Sequence, residues 1–185
     1  MEKVAVMLAE GFEEGESLFV VDILRRAGFD ARTLSIAGEI VKGARDIEVV
    51  ADEVFSGSLD GYAMVVIPGG MPGAANLAAC APLVACLRER AQAGALVASI
   101  CAGPMALDAA GLLSGRRFTC FPTRKDSIGR DGTWVDEPVV RDANIITSQG
   151  PGTTLHFAYA LVDALGGDGS ALAGAMLYTK VVSYA

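Results

Sequence analysis

The sequence predicts an α/β fold, in which helices pack on both faces of a mainly parallel β-sheet. Short apolar runs suited to buried strands alternate with helical segments along the whole chain of 185 residues. Tight, glycine-containing junctions follow the runs that end at Leu8, Ile67 and Ile100. Alternating segments of this kind form right-handed crossovers, and ligands bind beyond the carboxyl ends of the strands. We therefore expect a functional site where these three junctions meet.

The core strands are predicted from runs that are short and mostly apolar or β-branched. They are Val4–Leu8, Asp30–Ile36, Ala63–Ile67, the run from Ala95 to Ile100, and Asn144–Ser148. Weaker patterns predict short peripheral strands at Glu39–Lys42 and Ile47–Ala51, and a strand at Phe118–Phe121. Residues 134–135 and 139–140 are expected to pair as a small hairpin around Pro138.

The helices are predicted from capping signals and an apolar face. After Glu13, acidic residues open the first helix, arginines fill its last turn and Gly28 ends it. The next helix has Pro82 at its start and Gly94 after its end. The remaining predictions are Met105–Ala110, a helix from a Thr153 cap through Leu165, and Ser170–Tyr178.

Composition restricts the class of protein. A chain of this length, with 52% hydrophobic residues and positive mean hydropathy, predicts one domain over residues 1–185 and excludes disorder. No apolar run reaches membrane-spanning length, and a net charge of −7 without a basic run argues against nucleic acid as a partner. Four cysteines without a secretion signal indicate reduced thiols and a cytoplasmic protein.

The stretch around Cys101 resembles a nucleophile elbow. An apolar strand ends at the thiol, Ala102 and Gly103 follow, and Pro104 opens a helix. Unpaired N–H groups at the start of a helix stabilise an anion, so we expect a depressed pKa for this thiol. The alternative is that Cys101 is a small buried hydrophobe, which is the commoner role of a free cysteine.

Glu16 is the candidate acid beside that thiol. It lies just inside the first helix and therefore projects toward the same sheet edge as Cys101. Burial and a neighbouring thiolate would raise its pKa, so that it could donate a hydrogen bond or act as a general base. The N–H groups of Gly70 and Ala102 could bind an oxyanion. Alternatively, the acidic residues are only a solvated helix start, and the glycines only form a turn.

Other chemistries have weaker support. A cysteine hydrolase commonly needs a histidine, and the one histidine, His156, has nothing in the sequence that ties it to Cys101. We expect it to be structural or on the surface, which argues against a peptidase or an amidotransferase. The cysteines lack the spacing of a zinc site, and no nucleotide-binding fingerprint is present. We therefore predict neither metal nor cofactor.

Four motifs in order resemble the ThiJ/PfpI superfamily, and within it the protein-deglycase branch with its bacterial YajL-type members. They are Glu13–Glu16, Val66–Gly70, Ala98–Pro104 and Thr147–Thr153, and the resemblance runs essentially end to end. It implies a flavodoxin-like three-layer sandwich with a Cys nucleophile elbow, similar to class I glutamine amidotransferases, and a homodimer. It also implies glyoxalase activity, deglycation of methylglyoxal adducts, and protection against oxidative stress with chaperone-like behaviour.

The resemblance assigns roles to particular residues. Cys101 matches the oxidation-sensitive nucleophile, Glu16 the carboxyl that hydrogen-bonds it, and Gly70 and Ala102 the backbone donors. Arg26 and Arg45 resemble the arginines on the anion-binding, dimer-facing side of the site. The family's histidine is absent: Phe121 stands at one of its possible positions and Ala102 at the other. Glu16 would therefore carry any proton transfer.

Two functions follow from this reading. In the first, a cofactor-independent enzyme acts through Cys101 and Glu16 on methylglyoxal or on its adducts with proteins. In the second, the protein is a redox sensor or chaperone that needs only oxidation of Cys101. A third possibility is a scaffold that kept the elbow without activity.

Overall fold

The computed structural model describes residues 1–182, and its strands and helices alternate as the sequence predicts. In chain order the strands are β1 (Lys3–Leu8), β2 (Asp30–Ser35), β3 (Ile40–Lys42), β4 (Glu48–Val50), β5 (Glu53–Val54), β6 (Tyr62–Ile67), β7 (Leu96–Ile100), β8 (Arg117–Phe118), β9 (Thr133–Trp134), β10 (Val139–Asp142) and β11 (Ile145–Ser148). The helices are α1 (Glu14–Arg26), α2 (Gly73–Ala79), α3 (Ala81–Gln92), α4 (Pro104–Ala109), α5 (Thr154–Ala164), α6 (Gly169–Ala175) and α7 (Tyr178–Val182). Short 3₁₀ turns span Pro122–Arg124 and Pro151–Thr153.

A seven-stranded sheet in the order β10-β11-β7-β6-β1-β2-β5 forms the middle layer. All its pairings are parallel except β10 with β11, which confirms the predicted flavodoxin-like sandwich. Successive residues of β1 face opposite sides of the sheet. Val4 and Val6 pack with α1 and α5, whereas Ala5 and Met7 pack in the layer that holds α2, α3 and α4. Burial on both faces explains the continuous apolar run.

The predicted strands around residues 117–142 are partly wrong. Residues 118–121 were expected to form one strand, but β8 ends at Phe118 because the next amide, that of Thr119, donates to the Thr147 hydroxyl. The expected hairpin does not form either, since β9 pairs with β8, and β10 turns back at Ala143 to pair with β11. The prediction paired residues 139–140 with the short run just before them. In the structure, β11 offers β10 a partner over its whole length, from Val139 to Asp142.

The helices differ from the predictions in two details, one helix bound and one cap. The predicted helix over residues 170–178 is divided, because Leu177 adopts a left-handed φ of 62° between α6 and α7. Thr153 precedes α5 as predicted, but its hydroxyl bonds Ser148 and Gly150 instead of capping the helix. Within residues 1–182, the helices are too short or too polar to cross a membrane.

The carboxyl ends of three neighbouring strands bring together the junctions singled out in the sequence. β1, β6 and β7 are consecutive in part of the sheet, with β6 in the middle. The loop after β1 is bonded to the loop after β6, since the amide of Glu13 donates to the carbonyl of Gly69 at 3.0 Å. This contact fixes the start of α1 beside the end of β7.

Candidate active site

Cys101 occupies the sharp turn between β7 and α4. Its φ is +64°, a left-handed conformation that is unfavourable for a residue with a Cβ and that recurs at functional turns. The backbone holds it there: its amide donates to Ser148 at 3.0 Å, and its carbonyl accepts from the amide of Phe121 at 2.9 Å. The thiol is partly exposed and lines a cavity, so it is not sealed in the core. This is the geometry predicted for a nucleophile elbow.

The elbow depends on Gly103, where the backbone of α4 approaches the sheet. A Cβ at this position would lie 2.8 Å from the carbonyl oxygens of Ile100 and Pro68, closer than carbon and oxygen can approach. Gly103 itself donates to Ile100 at 2.8 Å. The small residues after the nucleophile therefore let the helix begin directly at the sheet edge.

Glu16 is fully buried and reaches the loop after β6. Its Oε2 accepts a hydrogen bond from the amide of Gly69 at 2.8 Å, and its carboxyl lies beside the Cys101 side chain, close enough to shift the pKa of both groups. Its Oε1 is buried without a hydrogen-bond partner among residues 1–182. Gly69 has no Cβ, which leaves room for the contact: a Cβ there would lie 2.6 Å from Oε2 and 2.7 Å from the Cβ of Cys101. Glu16 is therefore not the solvated helix residue of the alternative reading.

Burial sets the protonation of this pair. It raises the pKa of Glu16 from 4.5 to about 7, against the lowering effect of the bonds from Gly69 and Cys101. Burial also raises the pKa of Cys101 to about 12, and the charge and hydrogen bond of Glu16 raise it further than the amides of Ala102 and Gly70 lower it. Near neutral pH the thiol thus holds its proton and faces a carboxyl that is partly ionised.

The expected low thiol pKa is therefore wrong while Glu16 is charged. The amide of Ala102, just before α4, does lower the pKa of the thiol. The helix has only six residues, however, and burial raises this pKa by more than the amide lowers it. Two neighbouring acids cannot both ionise cheaply in a buried site, so the pair keeps at least one proton at neutral pH. Glu16, with the lower pKa, is the member that loses its proton first.

The backbone amides of Gly70 and Ala102 lie close enough to the Cys101 sulfur to lower the pKa of its thiol. Gly70 has a φ of +85°, which turns its amide toward the site and is open to glycine without strain. Two N–H donors at the nucleophile can stabilise negative charge on sulfur or on an added oxygen.

A cavity of about 390 Å³ opens above the sulfur. Its walls come from the starts of α1 and α4 and from the loops after β3, β6, β8 and β11, with these residues: Glu13, Glu16, Ala44, Arg45, Gly70, Met71, Cys101, Ala102, Phe121, Thr123, Arg124 and Pro151. The amide of Arg45 donates to the buried carboxylate of Glu14 at 2.7 Å, which fixes that wall.

The structure does not bring every candidate to the cavity. Arg26 lies in the last turn of α1, away from its first turn, and pairs with Asp22 at 2.8 Å on the surface. It is ten residues after Glu16 on the same helix, so the two cannot meet within one chain. His156 is exposed on α5 and does not line the cavity, as expected of a surface histidine.

Sequence reasoning missed Thr123 and Arg124 in the cavity wall. Both belong to the polar segment that follows Phe121. The signal that could have indicated them is the position of this segment directly after a predicted strand. Phe121 is 39% exposed and also lines the cavity. Within residues 1–182, no group of three or more His, Cys, Asp and Glu side chains is arranged to hold a metal ion.

Known proteins are similar to this chain in sequence. The model of the DJ-1/PfpI family matches residues 2–164. The chain is 36% identical over 165 residues to protein dj-1beta of Drosophila melanogaster, covering 88% of each. It is 36% identical over 163 residues to the glutathione-independent glyoxalase DJR-1.2 of Caenorhabditis elegans, covering 85% of each. With DJ-1 homolog B of Arabidopsis thaliana it shares 36% identity over 166 residues, which are 88% of this chain but 38% of that protein.

Solved structures agree with the sequence relatives. A DJ-1 superfamily protein from Salmonella typhimurium superposes with a TM-score of 0.88 at 38% identity, covering 97% of this chain and 98% of that one. Drosophila melanogaster DJ-1beta superposes with a TM-score of 0.90 at 34% identity, covering 95% and 97%. From the family match and these relatives, this chain belongs to the DJ-1/PfpI family.

Proposed function

We propose that the protein is a cofactor-independent glyoxalase or protein deglycase, with Cys101 as nucleophile and Glu16 as the proton carrier. The observation that carries the proposal is the buried Glu16 carboxyl beside Cys101 at the edge of the cavity, with a pKa of about 7. A general acid–base catalyst works best when its pKa is close to the operating pH. One of the relatives is named a glutathione-independent glyoxalase, which supports this class of activity.

The first step is addition of the thiol to an aldehyde. The Glu16 carboxylate takes the proton of Cys101 while the sulfur bonds to C1 of methylglyoxal. Negative charge develops on the C1 oxygen, where the amides of Gly70 and Ala102 stabilise it. Protonated Glu16 then returns its proton to that oxygen, which leaves a neutral hemithioacetal and an ionised carboxylate. The high pKa of the free thiol is no obstacle, because the proton leaves as the bond forms.

The second step moves hydrogen between carbons. Glu16 removes the C1 hydrogen as a proton and delivers it to C2, while the hydroxyl proton of C1 passes to the oxygen of C2. The product is a lactoyl thioester of Cys101, with no net oxidation of the protein. Water then cleaves the carbon–sulfur bond: its hydroxyl joins the acyl carbon and its other proton returns to the sulfur. Lactic acid leaves, as lactate and a proton at neutral pH, and the Cys101 thiol is regenerated. No cofactor enters this sequence.

Adducts of methylglyoxal with protein side chains present the same carbon skeleton. A hemithioacetal or aminocarbinol can release the aldehyde to Cys101, and this would make the same chemistry a deglycation. We include protection against oxidative and carbonyl stress, and chaperone-like behaviour, as further predictions of family membership. A cytoplasmic location stays a prediction from the cysteine content.

The second candidate is a redox sensor that needs no turnover. Partial exposure of Cys101 in an open cavity favours it, since peroxide could reach the sulfur. Oxidation acts on the thiolate, however, and the pKa of Cys101 is raised to about 12 beside ionised Glu16. We therefore rank the enzyme first. If peroxide modifies Cys101 no more than Cys80, Cys86 or Cys120, the sensor is excluded.

The enzyme is tested by lactate formation from methylglyoxal without glutathione. We expect turnover by the wild-type protein and only background in Cys101→Ala. Circular dichroism and thermal unfolding must show that the variant is folded. Lactate formation that is equal in both proteins would refute a role for Cys101 in catalysis.

We also propose a homodimer, on the basis of exposed apolar side chains near the cavity. Leu18 and Phe19 on α1 are 39% and 48% exposed, and Ile47 and Val50 on the β3–β4 hairpin are 52% and 71% exposed. The two elements are adjacent, since Glu14 accepts from the amides of Arg45 and Ile47. Light scattering on the wild-type protein and on Val50→Glu should give a dimer and a weakened dimer, respectively.

A further inference from the structure

The cavity above Cys101 is larger than methylglyoxal requires. Its volume is about 390 Å³, whereas a molecule of five heavy atoms fills roughly 100 Å³, a few times the volume of one water. Cavities of this size hold considerably larger ligands. Space therefore remains for a substituent attached to the carbon that follows the two carbonyls.

Arg124 offers a cation on one wall of that space. It ends the 3₁₀ turn after Phe121, and its backbone is held at both sides. Its amide donates to Phe121 at 2.8 Å, and its carbonyl accepts from the amide and hydroxyl of Ser127 at 2.9 and 3.0 Å. The guanidinium itself has neither a hydrogen bond nor an ion pair to any residue between 1 and 182. Its donors are available to a ligand.

Arg45 supplies a second cation from a separate segment. Its backbone is anchored by Glu14, which is 5% exposed and accepts its amide at 2.7 Å. One guanidinium nitrogen bonds the carbonyl of Ala44, and no carboxylate of residues 1–182 pairs with it. Two arginines without acidic partners thus line the same cavity.

Several arginines elsewhere on the surface pair with carboxylates, as Arg25 does with Asp52, Arg32 with Asp30 and Arg117 with Glu137. Others, such as Arg88, Arg90 and Arg141, have no carboxylate partner, but their guanidinium groups bond backbone carbonyls. The chain as a whole carries a net charge of −7 and therefore repels anions. A cavity that keeps two arginines unpaired in such a chain is suited to an anionic group, and the planar guanidinium matches a carboxylate particularly well.

We propose that Arg124, assisted by Arg45, determines specificity by binding the carboxylate of a substrate that is a 2-oxoaldehyde longer than methylglyoxal. This inference rests on the proposed glyoxalase chemistry and names its substrate class. The reacting end stays at Cys101 and Glu16, and the arginines take no part in bond formation. The product is the corresponding 2-hydroxy dicarboxylate.

The test compares 4,5-dioxopentanoate with 2-oxopentanal, which has the same length without the carboxylate. We expect the wild-type protein to favour the anion in kcat/KM by at least about tenfold, mainly through KM, as charge-assisted hydrogen bonds allow. Arg124→Met should reduce this preference about tenfold, and Arg124→Lys should retain part of it. Arg130→Met removes an equal charge from the same segment outside the cavity and should leave the preference intact.

A binding experiment separates failure of this inference from failure of the proposed function. Glutarate is titrated calorimetrically into Cys101→Ala, with and without Arg124→Met, at low and high salt. Binding that weakens about tenfold on loss of Arg124 supports the anion site even where no turnover is found. An equal preference for the two aldehydes, or glutarate binding that is unchanged by Arg124→Met, would overturn it.

Discussion

Two cavities of similar volume lie at opposite ends of the sheet, and each contains a cysteine. The Cys101 cavity, of about 390 Å³, lies beyond the carboxyl ends of β6 and β7. The Cys86 cavity, of about 360 Å³, lies before their amino ends. A thiol in a cavity is therefore not enough to indicate a reactive site, and the surroundings of each sulfur separate them.

The surroundings of Cys86 and Cys101 differ in backbone conformation and in the acidic side chains. Cys86 lies within α3, and its thiol donates a hydrogen bond to the carbonyl of Gly57 at 3.3 Å, a group that cannot take the proton away. Cys101 stands on a strained turn, with two amides and a buried carboxyl directed at it. The Cys86 cavity also holds carboxylates, those of Asp60 and Glu89, but they are exposed. The Cys101 site combines a buried carboxyl that can take a proton from sulfur with amides that can stabilise the charge that follows. The strain and the buried acid thus mark the reactive end of the sheet.

Replacing each cysteine with serine tests this contrast, and it is the prediction with the largest expected effect. We expect Cys101→Ser to lower the rate of lactate formation by roughly a thousandfold or more, because the nucleophile is lost. Cys86→Ser should change the rate less than about twofold, since Cys86 lies in a separate cavity and touches none of the groups around Cys101. Initial rates on folded variants provide the measurement, and equal losses in the two would remove the distinction.

Replacement of the acid sharpens the comparison further. Glu16→Gln keeps an oxygen for the Gly69 amide but cannot carry a proton, so we expect kcat to fall about 10²- to 10⁴-fold. Glu14→Gln is the matched control, two residues away on the same helix and outside the cavity.

The pH profile follows from the same carboxyl. Because Glu16 must be ionised to accept the thiol proton, kcat should rise with pH through about 7 in the wild-type protein. A profile that is flat between pH 5.5 and 8.5 would contradict the assignment of Glu16 as base.

As the pH rises, ionisation of Glu16 should increase activity but lower the stability of the folded protein. Its pKa is raised from 4.5 to about 7 on folding, so the folded state binds the proton more tightly. Wild-type stability therefore falls as the pH rises from about 4.5 to about 7, by up to about 3 kcal/mol. Glu16→Gln lacks this loss and should be more stable than the wild type at pH 8. Urea unfolding at pH 5 and pH 8 measures the difference, and an identical pH dependence in both proteins would contradict it.

The alkylation rate of Cys101 is the measurement with the smallest expected effect. It tests directly whether Glu16 raises or lowers the pKa of the thiol. In Glu16→Gln the negative charge beside Cys101 is removed, so its thiol pKa should fall and iodoacetamide should react about tenfold faster at pH 8.5. Cys86 in the same sample is the internal reference and should keep its rate, as mass spectrometry of the two peptides would show. Slower alkylation of Cys101 would mean that Glu16 stabilises the thiolate.

The local parts of the site were predictable from the sequence. The elbow follows from an apolar strand, a cysteine, small residues and a proline in immediate succession, and Gly103 shows why the small residue is required. Glu16 could be assigned to the same sheet edge because it starts the helix after β1. Its alternative, a solvated helix start, could not be rejected, since Glu14 and Glu16 look equivalent in the sequence and differ only in what they contact.

The sequence by itself determined the order of strands and helices, the fold class and the two residues at the centre of the site. These depend on periodicity and on turns that a few neighbouring residues encode. Only the tertiary structure decided that Glu16 is buried against Gly69, 53 residues away, that the thiol pKa is raised, and that Arg124 lines the cavity while Arg26 does not. Burial and charge depend on groups that are distant along the chain, so protonation and cavity walls appear only once the chain has folded.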